Sequence, residues 1–229
     1  MSADPFVLEA GRLRIDIWSD IMCPWCYLGD AALDHALRDF PYADRVDIRY
    51  HSFLLRPDLP SDRPTDLYEL ISSGRGVSRE EVDAGHAMLE ERGRALGLDY
   101  RFDKAIAINS TSAHRLSHVA LDAGLQRAMM QRLFLAYFTE GRNVADYDTL
   151  TELAEQVGLD PVTVRKALES GAHLDDVQDD LTLARELGIQ GVPFFVFNGK
   201  YAVSGGQPVE VFRQTLDTVW GELSPAPAG

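Results

Sequence analysis

Apolar and polar residues alternate along "RLRIDIW", residues 12–18, a run rich in β-branched and aromatic side chains. A period of two lays one face of a strand on a core, so the run predicts a strand. In "CYLGDAALDHALRDF" the apolar positions fall at 33, 37 and 40, and the run stops before Pro41. That spacing predicts a helix with a proline stop. "RVDIRYHSFLL", residues 45–55, alternates again and is closed by "RPDLP". Strand, helix, strand makes a βαβ unit.

From about residue 60 to 187 the period changes to that of helices. "SREEVDAGHAMLEERGRAL" is a long helical pattern with Ser78 and Glu81 spaced as a capping box. "NSTSAHRLSHVALDAG" follows, capped near Asn109 or Ser110 and stopped at Gly124. "LQRAMMQRLFLAYFTEG", "DYDTLTELAEQVG", "DPVTVRKALES" and "HLDDVQDDLTLARELG" complete the set. Pro161 stands at a helix start, where its missing N–H is not needed. After Gly191 strands return: "PFFVFN" and "YAVSG" flank Asn198-Gly199-Lys200, a hairpin signal, and "PVEVFRQTLDTVWGEL" is a last helix.

The order is thus β-α-β, an all-helical block, then β-β-α. Strands at the two ends of the chain must pair to bury their apolar faces. The expectation is an α/β protein: one sheet domain built from residues 12–58 and 188–223, with a helical insertion at 59–187. Residues 1–11 read as a loose arm, and the proline-rich 224–229 as a flexible tail.

Composition narrows the partners. The net charge of −14 opposes nucleic acid and anionic membrane surfaces, which need clustered Lys and Arg. No run approaches the ~18 apolar residues of a membrane span. "MSADPFVLEAGRLRID" lacks the basic and apolar regions of a signal peptide, so the expected location is the cytoplasm. A structural disulfide is disfavoured in that reducing compartment. The only two cysteines, Cys23 and Cys26, therefore need a chemical explanation.

They sit in "SDIMCPWCYLGD", between a strand and the start of a helix. The first turn of a helix offers unpaired N–H groups and the positive end of the macrodipole. A thiolate there is stabilised and becomes the nucleophile of disulfide exchange. Pro24 suits a helix start. The spacing puts Cys26 within reach of a mixed disulfide on Cys23. Cys23 is expected to be the exposed attacking thiol and Cys26 the buried resolving one. A zinc site would want four ligands, and there is no second C-x-x-C. His114 and His118, spaced i, i+4, are the remaining candidates to complete one, but no metal is assigned. An iron–sulfur cluster lacks thiolates. A second feature is Val192-Pro193, placed just before a strand in "GIQGVPFFVFNGKYAVSGGQP".

C-x-x-C at a strand–helix junction, together with "GVP" before a hairpin, resembles the thioredoxin fold. The helical block between the second and third strands is similar to the DsbA family. "DIMCPWCYLG" and "GVPFFVF…GGQP" resemble its cytoplasmic FrnE-like branch most closely, over roughly residues 12–222. The resemblance implies a thioredoxin-like fold with an inserted helical domain, a cis bond at Val192-Pro193, and Val192 backbone groups that pair with a substrate strand. "AHRL", residues 113–116, resembles the branch's helical segment beside the active site. Gly206 and Gln207 are further substrate-binding candidates. DsbA proper carries Pro-His between the cysteines; Pro24-Trp25 cannot place a positive charge there. The expectation is a less depressed Cys23 pKa and a couple nearer the glutaredoxin range of about −230 to −200 mV than the −120 mV of DsbA.

Asp16 lies on a strand expected to be central. A buried carboxyl there could take the proton from Cys26; the plainer reading is an acid paired with a cation. Asp20 reads as a turn or capping residue. His51 reads as an ordinary strand histidine, His35 and His86 as surface helix residues, and "DDVQDD", residues 175–180, as a solvated face. Trp18, Phe134, Tyr137 and Phe138 fit core packing, and some of them are candidates for an apolar groove near Trp25.

The first functional reading is a thiol–disulfide oxidoreductase or isomerase acting on protein or small-molecule disulfides and dithiols. It needs no cofactor, and it is recycled by glutathione or a thioredoxin-type partner. The alternative is a glutathione-dependent transferase or isomerase of the kappa or hydroxychromene-carboxylate type, with glutathione as co-substrate. Those relatives typically carry a serine where this chain has Cys23. A third reading is a non-enzymatic chaperone or partner-binding module. The sequence does not reveal the oligomeric state.

Overall fold

The computed structural model describes residue 6 and residues 9–223. Of the expected arm, residues 6 and 9–11 are described; the rest of it and the expected tail lie outside the described residues. Phe6 is described, and it is not loose: its ring meets the Trp18 ring edge-on at 6.5 Å.

The expected βαβ unit is present as β1 (Leu13–Ser19), α1 (Pro24–Arg38) and β2 (Val46–Ser52). Two short strands follow, β3 (Thr65–Asp66) and, after α2 (Leu67–Arg75) and α3 (Arg79–Ala95), β4 (Ile106–Ala107). They pair with each other and are too short for any alternation to announce them. Next come α4 (Thr111–Asp122), α5 (Gln126–Leu135), α6 (Tyr147–Gln156), α7 (Pro161–Glu169) and α8 (Leu174–Glu186). The hairpin β5 (Phe194–Phe197) and β6 (Tyr201–Ser204) and the helix α9 (Val209–Leu223) end the described chain. The Ser78–Glu81 capping box forms as expected. A single helix expected through "FTEG" instead passes into a π-helical turn, Ala136–Glu140, which Gly141 ends at φ 69°.

The four-stranded sheet runs β2-β1-β5-β6. β1 is parallel to β2 and antiparallel to β5, so the two ends of the chain do meet in one sheet. Alternation along β1 splits its side chains. Leu13, Ile15 and Ile17 join the main core with α1 and α9, while Trp18 joins a second cluster with Ala184, Ile189 and Val196 on the other face. The helix α8 packs against β2 and α4. It covers the second face of the sheet, although it lies in the stretch read from sequence as insertion. The main core runs without a break from the sheet into α4 to α7 through Leu116, Met129, Leu133, Leu150 and Val164. At the edge strand β2, the Gln126 amide accepts from Tyr50 N–H (2.9 Å) and donates to Tyr50 C=O (2.9 Å), so the helical segment satisfies an otherwise open strand edge.

Two histidines read as surface residues are in fact half-buried. His86 stacks on Phe102 at 4.0 Å, and burial lowers its pKa. His35 Nε2 lies 3.2 Å from Leu96 C=O. Both face α3–α4 connections that no local pattern reveals.

Candidate active site

Cys23 is the N-cap of α1 and Pro24 its first residue. The turn before it is built by Asp20. Its C=O accepts from Cys23 N–H (3.0 Å), and its carboxylate accepts from Met22 N–H (3.1 Å), the Ser110 hydroxyl (2.8 Å) and Leu55 N–H (2.8 Å). Asp20 is therefore the turn residue expected, and it also ties the dithiol loop to the segment that follows β2 and to the start of α4. His114 Nε2 stands 3.6 Å from the same carboxylate with no hydrogen-bond partner among the described residues, in a side chain only 2% exposed. From the helical segment, the Tyr100 hydroxyl donates to Pro24 C=O at 2.6 Å. Tyr100 went unread in the sequence because 76 residues separate it from Pro24.

Both cysteines are free thiols and both are buried, at 3% and 1% exposure. The expectation of an exposed Cys23 is corrected. The 192–193 segment lies against it, with Cys23 Sγ 3.6 Å from Val192 C=O, and the Val192–Pro193 bond is cis. Pro193 C=O accepts from Gly205 N–H (2.8 Å), but Val192 N–H makes no hydrogen bond among the described residues. Burial pushes the Cys26 thiol well up, and its contact with Cys23 pushes it further; the Asp20 N–H and the Ser19 hydroxyl pull the other way. Ser19 is a site residue the sequence reading missed, although it is the inward-facing partner two positions on from Ile17.

Beside the dithiol lies a cleft of about 520 Å³, lined by Trp25, Arg92, Val192, Gly205, Gly206, Gln207 and Pro208. The candidates Trp25, Val192, Gly206 and Gln207 are thus brought together. Gly206 is needed for the close approach: a Cβ there would stand 3.0 Å from Trp25 C=O and 3.2 Å from its ring. Phe134, Tyr137 and Phe138 stay in the core, with Tyr27 stacked on Phe134 and Phe138, and do not line the cleft.

Asp16 is not brought to the thiols. It points from the opposite face of the sheet, where Arg14 Nη2 (2.6 Å) and His51 Nε2 (2.8 Å) hold its carboxylate. The plainer reading, an acid paired with a cation, is the one realised. His51 is more than a strand histidine: it stacks on Trp18 at 4.4 Å and presents Nδ1 to Asp180 at 2.6 Å. Asp180 is correspondingly not part of a solvated face; it also accepts from Ser52 N–H (2.7 Å) and contacts His118 Nε2 (3.0 Å). His114 and His118 thus serve different carboxylates, and among the described residues no group of three or more His, Cys, Asp or Glu is arranged to hold a metal ion.

A buried C-x-x-C at a helix start thus lies against a cis-proline turn, where the end of β1 stands beside the start of β5. Residues 14–217 match the family described as DSBA-like thioredoxin domain, and the chain belongs to that family. The probable DsbA oxidoreductase SCO1869 of Streptomyces coelicolor is 38% identical, with a TM-score of 0.87 over 95% of this chain and 94% of that one. The uncharacterized protein YwbO of Bacillus subtilis (strain 168) is 28% identical over 89% of this chain and 96% of its own. The cytosolic disulfide reductase DsbM of Pseudomonas aeruginosa shares the fold, at 21% identity and a TM-score of 0.64 over 90% and 97% of the two chains. No helix among the described residues is long and apolar enough to cross a membrane.

Proposed function

We propose that the protein is a thiol–disulfide oxidoreductase working in a reducing compartment such as the cytoplasm. Cys23 as thiolate attacks one sulfur of a substrate disulfide. A Cys23–substrate S–S bond forms, the substrate S–S bond breaks, and the first substrate thiolate leaves with the electron pair. Cys26 then loses its proton and attacks the Cys23 sulfur, releasing the second substrate thiolate and leaving a Cys23–Cys26 disulfide. A thiol of the glutathione or thioredoxin type reduces that bond and completes the cycle. The reverse sequence oxidises a dithiol, and the redox poise sets the direction.

One observation carries this reading: Cys26 is held as a high-pKa buried thiol directly behind a Cys23 that lies on the Val192 carbonyl. The free Val192 N–H beside it is suited to an extended substrate strand. The glutathione-transferase alternative is less favoured, because a second thiol at 26 resolves any adduct on 23. The test is trapping. Cys26→Ser should accumulate a mixed disulfide on Cys23, visible as an added substrate mass, and Cys23→Ser should form none. Adducts on Cys26 in the Cys23→Ser protein, or turnover surviving that change, would sink the assignment. The couple should titrate in glutathione buffers, read by Trp25 fluorescence, between about −230 and −200 mV; a value near −120 mV would contradict the role given to Trp25.

A further inference from the structure

Arg92 lies on α3, in the helical segment, yet its side chain belongs to the redox face. Its guanidinium carbon stands 5.0 Å from the centre of the Trp25 ring, and Nη2 donates to Gly206 C=O at 2.8 Å. Two elements of the site therefore fix its position. Arg12, Arg38, Arg142, Arg165 and Arg213 each have a carboxylate partner in this chain of net charge −14. Arg92 has no carboxylate within 4.0 Å among the described residues. A guanidinium carries five N–H donors in a planar fork, and one contact to Gly206 leaves most of that fork open. Among the described residues, Arg92 is also the one ionisable side chain lining the cleft of about 520 Å³. That cleft reaches Val192, whose carbonyl touches Cys23 Sγ. Its size is that of a small-molecule site, which typically spans about 300–1,000 Å³.

We propose that this cleft binds the carboxylate of a small disulfide substrate, with Arg92 as the recognition group, while the substrate sulfur meets Cys23. The inference rests on the disulfide-exchange reading and narrows its substrate class to disulfides of low-molecular-weight acidic thiols. A pinned guanidinium suits a carboxylate because the fork and the two oxygens match in geometry, and charge-assisted bonds of this kind are roughly twice as strong as neutral ones. Arg92 exchanges no proton and forms no bond in the reaction. It selects which disulfide is attacked.

The test compares three small disulfides on the full-length protein, dianionic 3,3′-dithiodipropionate, neutral hydroxyethyl disulfide and dicationic cystamine, with a disulfide-linked acidic peptide run beside them. The readout is the ratio of kcat/KM for the anionic over the neutral substrate. Arg92→Gln should lower that ratio about tenfold, through KM rather than kcat, and Arg92→Lys should restore part of it. Salt should shrink the wild-type ratio and leave that of Arg92→Gln unchanged. An equal slowing of all three substrates would mean that Arg92 only props Trp25, and would overturn the proposal. So would an effect confined to a disulfide-linked acidic peptide, which would assign the cleft to protein segments. If wild type turns over no disulfide, the exchange reading fails separately. Quenching of Trp25 fluorescence by dithiodipropionate then decides the subsite: Arg92-dependent binding keeps it, and no binding removes it.

Discussion

The two faces of the central strand β1 hold two buried polar clusters built on opposite plans. On one face Asp16, His51, Asp180 and His118 saturate one another. Both ring nitrogens of His51 face carboxylate oxygens, at 2.8 and 2.6 Å, and although burial lowers its pKa those two partners raise it overall. On the other face the attacking-position thiol, Cys23, is left short of partners. Cys23 lies on a carbonyl through one long contact, and burial together with Cys23 raises the Cys26 pKa against the Asp20 N–H and the Ser19 hydroxyl. A saturated cluster fixes structure because every group would lose by moving. A group with one long contact loses little when another takes its place.

Removing one key group from each face should give opposite losses. Cys23→Ser should bring disulfide turnover to background while thermal unfolding stays near that of wild type. Asp180→Ala should do the opposite: it leaves His51, His118 and Ser52 N–H without their shared buried partner and should cost about 3–5 kcal/mol in denaturant unfolding, with exchange chemistry intact in the molecules that remain folded. Equal stability losses in both variants would erase the distinction.

A smaller effect is expected at Tyr50, whose hydroxyl donates to the buried Asp30 carboxyl. Burial raises the Asp30 pKa against that bond. Tyr50→Phe leaves the carboxyl short of a donor and should cost about 1–3 kcal/mol, read as a lowered urea midpoint with unchanged slope.

The pH dependence of stability separates the faces next. Burial pushes the Asp180 pKa up, but the bonds from His118 and His51 outweigh it and hold it well below the usual carboxylate range. Its contribution is therefore present above the unfolded carboxyl value of about 3.9 and fades as pH falls toward the folded one. Burial lowers the His51 pKa, and its two carboxylates overturn that and raise it. Its contribution is full below about 6.5 and fades as pH climbs through the raised value. Unfolding free energy should accordingly drop at both ends, and Asp180→Asn should flatten the acid limb. An acid limb unchanged in that variant would show that Asp180 does not carry it.

The mildest change is Gly206→Ala. The added methyl meets Trp25 C=O and ring at 3.0 and 3.2 Å. Steady-state kinetics should show a higher KM with little change in kcat or in melting temperature.

Alternation in "RLRIDIW", the capping box at Ser78 and Glu81, the Asn198-Gly199-Lys200 turn, and a C-x-x-C opening a helix are all set by neighbours a few residues apart. That is why strand β1, helix α3, the hairpin and the dithiol's position could be read from the sequence itself. Which side chains then meet was decided by the tertiary structure. His51 meets Asp180 across 129 positions, Arg92 meets Gly206 across 114, and Tyr100 meets Pro24 across 76. Alternation along β1 fixes that Asp16 and Ile17 face apart, but not which face receives the thiols. That depends on α1 and α9 packing on one side and α8 on the other, a choice made by the summed burial of distant helices rather than by any local pattern.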